Sequence, residues 1–164
     1  MARYDIEVVK GTGGAEVEFD VASGAAASIK VGEPVVRSTT TDYVALAADG
    51  DPTSATGTVL VGIATADSTD TVAAAGKVKV LMVIPGQTIL RLKAHTPANI
   101  DTEAKLLAYM MNCVELGGTT DWTVNEDGTD DPDVHGLLII GGDIVKGTID
   151  VMVKSYATIV GCSY

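Results

Sequence analysis

An internal repeat constrains the fold of this chain more than any other feature of its sequence. Two segments, at about residues 31–84 and 105–154, share the same order of short motifs. The matched pairs are Thr40-Thr41-Asp42-Tyr43 with Thr119-Thr120-Asp121-Trp122, Asp49-Gly50 with Asp127-Gly128, residues 59–64 with 135–140, and residues 76–81 with 147–152. Two copies are too few for a solenoid, so the repeat predicts a duplicated β unit within one compact body.

The composition favours strands over helices. Hydrophobic residues make up 46% of the 164-residue chain, yet it has one Phe and one Trp, so the core must come mainly from aliphatic side chains. Val and Ile suit a pleated sheet because they branch at Cβ. We predict an all-β protein, a small β-barrel or two fused half-barrels from the duplication, with one short helix. Residues 1–14 are predicted to form an extended, flexible N-terminal arm, and residues 15–164 a single β-rich domain.

The charge argues against two classes of partner. The chain has 22 acidic and 11 basic residues, for a formal net charge of −11. Nucleic acids and anionic membranes both attract Lys and Arg, so neither is expected as a partner, whereas a basic protein surface is compatible. We find no charged and apolar leader and no apolar run of the ~20 residues that a membrane-spanning helix needs. We therefore expect the protein to be made in a cytoplasm.

The two cysteines, Cys113 and Cys162, lie far apart in the sequence. Their spacing does not exclude a disulfide between them, but a chain of this length does not need a disulfide to fold. We expect two free thiols, with Cys113 buried and Cys162 near a flexible C terminus.

The first residues form a strand behind a glycine-rich joint. Residues 4–9 alternate between polar and apolar side chains, and Gly11-Thr12-Gly13-Gly14 separates them from a second alternating stretch at residues 16–21. One interpretation is an arm that adds a strand to the sheet of a neighbouring protein. The other is an ordinary first strand of the protein's own sheet. In the first interpretation the contact residues are Arg3, Tyr4, Ile6, Val8 and Val9.

One stretch departs from the β pattern. Residues 102–111 consist mainly of helix formers without Gly or Pro, and Thr102 is available as an N-cap, so a short helix is predicted there. The other stretches with strand character are residues 29–36, 43–47, 59–65, 76–84, 88–94, 122–124, 135–140 and 143–154.

The sequence contains no motif of a recognisable catalytic or metal-binding chemistry. Residues 125–133 are densely acidic, and calcium binds several oxygen ligands, but the spacing and closing glutamate of an EF-hand are absent. A solvated loop is the favoured interpretation of this run. His95 and His135 have no Cys or carboxylate at metal-ligand spacing, and no nucleophile motif occurs. We predict a protein that is not an enzyme and has no catalytic residues, cofactor or metal.

Several short motifs resemble those of the phage capsid decoration proteins, which are also called cement or head-stabilising proteins. They are Gly32-Glu33-Pro34-Val35, Val61-Gly62-Ile63-Ala64, and the run from Ser68-Thr69-Asp70-Thr71 to Gly76-Lys77-Val78-Lys79-Val80. In that family such motifs form the strands of a small β-barrel. The resemblance covers about residues 31–154, and the duplication and the helix make this chain more elaborate than the smallest members.

The resemblance implies a structural virion protein on the outer surface of an assembled phage head. It would stabilise the capsid by clamping neighbouring major capsid subunits. Its partners would be the major capsid protein and further copies of itself, commonly as a homotrimer, with the N-terminal arm reaching onto the shell. Two other hypotheses remain: a tail, neck or fibre-base β domain of a virion, and a calcium- or carbohydrate-binding β module that uses the acidic loop and Trp122.

Overall fold

The computed structural model describes residues 6–10, 14–24, 28–38, 42–54, 57–118, 121–128 and 130–154. The protein is mostly β, as predicted, with one α-helix and two barrel-like sheets, one closed and one nearly closed. In chain order the strands are β1 (Glu7–Lys10), β2 (Glu16–Val21), β3 (Pro34–Ser38), β4 (Val44–Leu46), β5 (Thr58–Ala64), β6 (Gly76–Met82), β7 (Ile89–Ala94), β8 (Cys113–Val114), β9 (Leu116–Gly117), β10 (Thr123–Val124), β11 (Leu137–Asp143) and β12 (Thr148–Val153).

The first barrel is closed and has the strand order β2-β4-β3-β5-β6. Strands β5 and β6 form an antiparallel pair, and β3 pairs antiparallel with both β5 and β4. Strand β2 closes the barrel by pairing antiparallel with β6 and parallel with β4. Small aliphatic side chains fill its core, as the composition predicts: Val21, Ile29, Val35, Val44, Val61, Ala64, Val78 and Val80.

The second barrel repeats this order strand by strand. Strand β7 takes the place of β2, since it pairs antiparallel with β12 and parallel with β10. Strands β11 and β12 form the antiparallel pair that corresponds to β5 and β6. Strands β8 and β9 together take the place of β3, because β8 pairs with β11 and β9 with β10. The interruption between them, at Glu115, leaves this barrel nearly closed.

One of the matched sequence pairs does not share an environment. Tyr43 is 43% exposed, whereas Trp122 is 1% exposed in the core of the second barrel. The residues with equivalent pairing are Val44, which lies opposite Val21, and Val124, which lies opposite Ala94. The sequence match is therefore offset by one residue here, and a one-residue offset turns a strand side chain to the other face of the sheet.

The predicted helix is confirmed as α1 (Glu103–Tyr109), after a short 3-10 turn at Pro97–Asn99. The Thr102 side chain accepts a hydrogen bond from the Lys105 backbone N–H and caps the helix. Both elements lie between β7 and β8, in the position of the β2–β3 connection of the first barrel. The helix is therefore an addition to the second copy of the repeat.

Two of the predicted strands begin about five residues later in the structure. Residues 29–33 form a turn instead of strand, since the Glu33 carboxylate accepts from the Lys30 N–H at 2.6 Å and Gly32 has a φ of 86°. Residues 144–147 form the hairpin turn between β11 and β12. There the Asp143 carboxylate accepts from two backbone N–H groups of the turn, at 3.0 and 3.1 Å, which ends the strand.

The two barrels are joined by backbone hydrogen bonds and by a common core. The β4–β5 loop of the first barrel meets the interruption of the second, where Gly50 donates to the Leu116 carbonyl at 2.8 Å and Leu116 donates to the Asp51 carbonyl at 2.7 Å. Gly136 donates to the Pro52 carbonyl at 3.1 Å. The larger core cluster includes Leu60 of the first barrel together with residues of the second. The loop thus substitutes for part of the missing strand pairing.

Candidate interaction surfaces

The structure places the N-terminal strand in the protein's own sheet. Strand β1 pairs antiparallel with β7, with Glu7 opposite Arg91 and Val8 opposite Leu90. Ile6 and Val8 pack against the larger core cluster, and Val9 is 39% exposed. This is the second of the two interpretations offered above. Two of the predicted contact residues, Arg3 and Tyr4, lie outside the described residues, and a capsid contact by this segment remains a prediction.

Three neighbouring strands carry an acid, a base and an acid side by side. The Arg91 guanidinium donates to both carboxylate oxygens of Asp150, at 2.7 and 2.8 Å, and Glu7 lies opposite Arg91 on β1. The hydrogen bond to Asp150, aided by the charges of Glu7 and Asp143, raises the pKa of Arg91 above its usual value. A bidentate pair with low exposure is the strongest kind of surface ion pair. This pair joins β7 to β12, and Glu7 of β1 adds a second acid opposite Arg91.

The outer face of β2 and β6 carries the opposite arrangement of charge. The Lys77 ammonium lies 3.1 Å from Asp20 and 3.3 Å from Glu18, and Lys79 lies 3.8 Å from Glu16. The Asp20 carboxylate, and after it Glu18, raise the pKa of Lys77. Acids therefore stand on β2 and bases on β6, whereas β7 carries the base and β12 the acid.

A polar cleft of about 520 Å³ lies at the end of this face, between β2, β4 and β6. Its lining includes Asp20, Asp42, Tyr43 and Lys77. The charged groups are neutralised within the protein, because Lys77 pairs with Asp20 and Asp42 lies 3.5 Å from the Arg37 guanidinium. The cleft therefore presents little net charge to attract an ion.

The acidic loop is used to hold the fold together. Glu126 is completely buried, and its two carboxylate oxygens accept hydrogen bonds from the His95 and Thr96 N–H groups, each at 2.9 Å. Asp130 accepts from the Cys113 N–H at 2.7 Å. Within the described ranges, no three His, Cys, Asp or Glu side chains are grouped so that they could hold a metal ion. The burial of Trp122 also leaves no indole face for stacking on a sugar ring.

Folding brings together polar groups that are distant in the sequence. The His135 Nε2 lies 3.2 Å from the Glu115 carboxylate, which also accepts from the Asn125 side chain at 3.3 Å. Cys113 is buried, as predicted, with its thiol 3.3 Å from the Lys154 ammonium. Cys162 lies outside the described residues. Glu115 occupies the interruption between β8 and β9, so these contacts stabilise the junction of the two barrels. No motif could have revealed them, because the partners come from separate parts of the chain.

Helix α1 exposes apolar side chains to solvent beside the charged Glu103 and Lys105. Leu106, Tyr109 and Met110 pack against the core. The other apolar residues of this segment are exposed. Three of them have the i, i+3 and i+4 spacing of one helix face, and the fourth, Met111, follows the end of α1 in a left-handed turn with a φ of 70°. We call this exposed set the α1 stripe; its members are Ala104, Leu107, Ala108 and Met111. Leu107 is 60% and Met111 65% exposed. An exposed apolar patch of this kind typically marks a contact with another molecule.

Comparison with known proteins found no matching family model, no matching curated protein and no matching solved structure. No helix in the described part of the chain has the length and apolar character needed to cross a membrane.

Proposed function

We propose that this protein is a structural virion protein that binds the outer surface of an assembled phage head and stabilises the capsid by clamping neighbouring major capsid subunits. The observation that carries the proposal is where the decoration-protein motifs lie in the fold. Pro34 and Val35 open β3, Gly62-Ile63-Ala64 ends β5, and residues 76–80 form most of β6. These strands are neighbours in the closed barrel. The motifs thus belong to one continuous sheet, as expected for a shared fold.

The use of the buried carboxylates supports a structural role over a catalytic one. Asp70 accepts hydrogen bonds from the Ser28 N–H and the Ser68 hydroxyl, and Asp51 accepts from the Ala48 N–H and the Thr58 hydroxyl. Glu33 and Glu126 likewise accept from backbone N–H groups of loops. Each of these four buried acids therefore stabilises a loop conformation. A protein that acts by binding needs such rigid loops.

Stabilisation of the capsid would follow from mass action. A protein that binds the assembled lattice and not the separate subunits stabilises the lattice by RT ln(1 + [L]/Kd) at each site. Because an icosahedral shell repeats the same site many times, a modest free energy per site adds up over the whole shell. No covalent chemistry is needed.

The α1 stripe is where we place the contact between copies of the protein. With a net charge of −11, two copies repel each other over most of their surface. The stripe contains no charged side chain, and its two alanines allow another helix to approach closely. A second copy is therefore the occupant that fits it, in line with the homotrimer that the resemblance implies.

Sedimentation velocity tests this contact. The wild-type protein is expected to sediment as an oligomer, and Leu107→Glu as a monomer, because the new carboxylate would be buried without a partner in the interface. Val72→Glu is the control, since Val72 is 80% exposed on the first barrel and far from α1 in the sequence. A wild-type monomer at micromolar concentration, or dissociation by both variants, would contradict the contact.

The N-terminal segment remains a second proposed contact with the capsid. Ile6 and Val8 are engaged in the protein's own core, so deletion of residues 1–14 would also destabilise the second barrel. Val9→Glu is a sharper change, because Val9 is partly exposed. Loss of head binding by a Val9→Glu variant with unchanged thermal stability would support the contact, and unchanged occupancy would remove Val9 from it.

Co-sedimentation with phage heads tests the function itself. Purified protein is mixed with empty heads before and after shell expansion, and bound protein is quantified in the pellet. We expect saturable binding to expanded heads only. Binding to neither form contradicts the proposal, and binding of labelled protein to tails instead favours the tail or neck hypothesis.

A further inference from the structure

We propose that the first barrel accepts an extended strand from a partner protein along one edge of β2, with a Lys or Arg of that strand opposite Glu18. The edge concerned is the side of residues 16–18 that faces away from β6, and we call it the β2 edge. Strand β2 pairs with β6 along its whole length but with β4 only at Val21. Among the residues that the structure describes, no strand pairs with the β2 edge.

The second barrel shows what occupies the equivalent edge. Strand β7 pairs with β12 along one side, and on the other side with β10 at Lys93 and Ala94. The remainder of that side, at residues 89–91, pairs with β1. The ladders with β6 and β12 put Glu18 of the first barrel in the place of Arg91 of the second. The side of β7 that pairs with β1 thus corresponds to the β2 edge.

The core of the first barrel is less covered beside this edge. In the second barrel, Leu90, which lies opposite Val8 of β1, is 1% exposed, and Leu92 is fully buried. The equivalent residues, Val17 and Phe19, are both only partly buried. An added strand with inward-facing apolar side chains would cover them as Ile6 and Val8 cover the second barrel. Strand addition of this kind uses backbone hydrogen bonds for affinity and alternate side chains for specificity.

The charge at the edge selects the incoming strand. On β7, Arg91 is flanked by an acid on each side, Asp150 on β12 and Glu7 on β1. On β2, the base beside Glu18 among the described residues lies on the β6 side, where Lys77 is 3.3 Å away. A base on the incoming strand completes the same three-strand pattern with the signs inverted, whereas β1 of a second copy would bring Glu7 against Glu18. Like charges directly opposite each other destabilise strand pairing.

The partner strand is therefore extended, alternates apolar and basic residues, and belongs to a different protein. These properties are inferred from the edge alone. Its assignment to a major capsid subunit rests on the proposed function. A net charge of −11 on this protein also favours a basic partner.

A synthetic peptide tests the edge without a capsid. The probe is an acetylated and amidated seven-residue peptide of alternating valine and lysine, and the matched control carries glutamate in place of lysine. Backbone amide shifts are followed by NMR during titration to millimolar peptide. We expect the shifts to centre on residues 16–20, with the lysine peptide bound about fivefold more tightly than the glutamate peptide, as a cross-strand charge pair predicts. Absence of shifts on β2, or equal binding of both peptides, overturns the proposal.

A charge reversal supplies the second arm of the experiment. Glu18→Lys should reverse the preference between the two peptides, while Asp127→Lys, on an exposed side chain of the second barrel, should leave it unchanged. Thermal unfolding verifies that both variants fold. Glu18→Lys replaces an exposed ion pair with a like-charge contact to Lys77, so a modest loss of stability is expected for that variant. On expanded heads, Glu18→Lys should lower occupancy and Asp127→Lys should not. If the peptide binds β2 but heads are not bound, the proposed function fails and the strand site stands; if heads bind both variants equally, the capsid assignment fails.

Discussion

The two barrels have the same strand order but complete one edge differently. In the second barrel, β1 pairs with β7, and Leu90 and Leu92 are buried. In the first barrel the equivalent side of β2 has no described partner, and Val17 and Phe19 are only partly buried. The two copies of a duplicated unit can therefore differ in one respect: one copy pairs this edge with a strand of the same chain, and the other leaves the edge for the proposed partner strand. The difference lies in one short strand from the N-terminal segment.

The charged side chains on the equivalent strands of the two barrels have opposite signs. The first barrel has acids on β2 and bases on β6, whereas the second has Arg91 on β7 and Asp150 on β12. Because both members of each ion pair change sign between the barrels, the pairs within each barrel still attract each other. The two edges, however, prefer side chains of opposite charge on an added strand. An incoming strand with a base suits the first and one with an acid suits the second.

The largest effect is expected from the aromatic residues that the repeat matches. Trp122→Ala should lower the free energy of unfolding by about 3–5 kcal/mol, because it leaves a cavity in a closely packed core. Tyr43→Ala should cost at most about 1 kcal/mol, since Tyr43 is 43% exposed. Urea unfolding followed by circular dichroism measures both. Equal losses would contradict the offset between the two copies.

The loop acid Asp70 should make part of the stability of the first barrel dependent on pH. Burial favours a raised pKa, but hydrogen bonds from Ser68 and Ser28 outweigh it and lower the pKa of Asp70 from 3.8. The folded state thus favours the ionised form, and its contribution is present above pH 3.8 and lost as the pH falls through the lower folded value. Asp70→Asn should cost about 2 kcal/mol at pH 7.

Urea unfolding of wild type and Asp70→Asn at pH 7 and pH 3 measures this dependence. The difference between the two proteins should shrink at pH 3. Asp127→Asn, on an exposed side chain of the second barrel, is the control and should cost less than about 0.5 kcal/mol. A difference that stays constant with pH would show that the charge of Asp70 is not what stabilises the loop.

The packing of β1 against the core can be weakened by single substitutions. Val8→Ala should lower the free energy of unfolding by about 1 kcal/mol, because Val8 packs against the core. Val9→Ala, on the more exposed face of the same strand, should cost less than about 0.5 kcal/mol. Chemical denaturation measures both, and a larger effect at Val9 would contradict the pairing of β1 with β7.

The smallest effect is expected from a comparison of the ion pairs on the two barrels. A double-mutant cycle on Arg91 and Asp150 should give a coupling free energy of about 1 kcal/mol, because the pair is bidentate and largely shielded from solvent. The same cycle on Lys77 and Glu18, whose side chains are 56% and 50% exposed, should give about 0.3 kcal/mol or less. Equal couplings would remove the energetic difference between the two faces.

Local pattern determined much of this fold from the sequence. Alternation of apolar and polar residues located β2, β6 and β12, and helix formers after Thr102 located α1. The repeat predicted two related β units, and the strand order confirms them. These features are recoverable because a strand or helix face depends on residues two to four positions apart.

Tertiary structure alone decided the features that matter for binding. The sequence of β1 suits an arm or a home strand equally, and only the structure shows that β1 pairs with β7. A one-residue offset buries Trp122 and exposes Tyr43, although their motifs match. The pairing of Glu115 with His135 and the burial of Glu126 join residues from separate strands and loops. Such contacts depend on which edges and faces meet in the folded protein, and neighbouring residues in the sequence do not specify that.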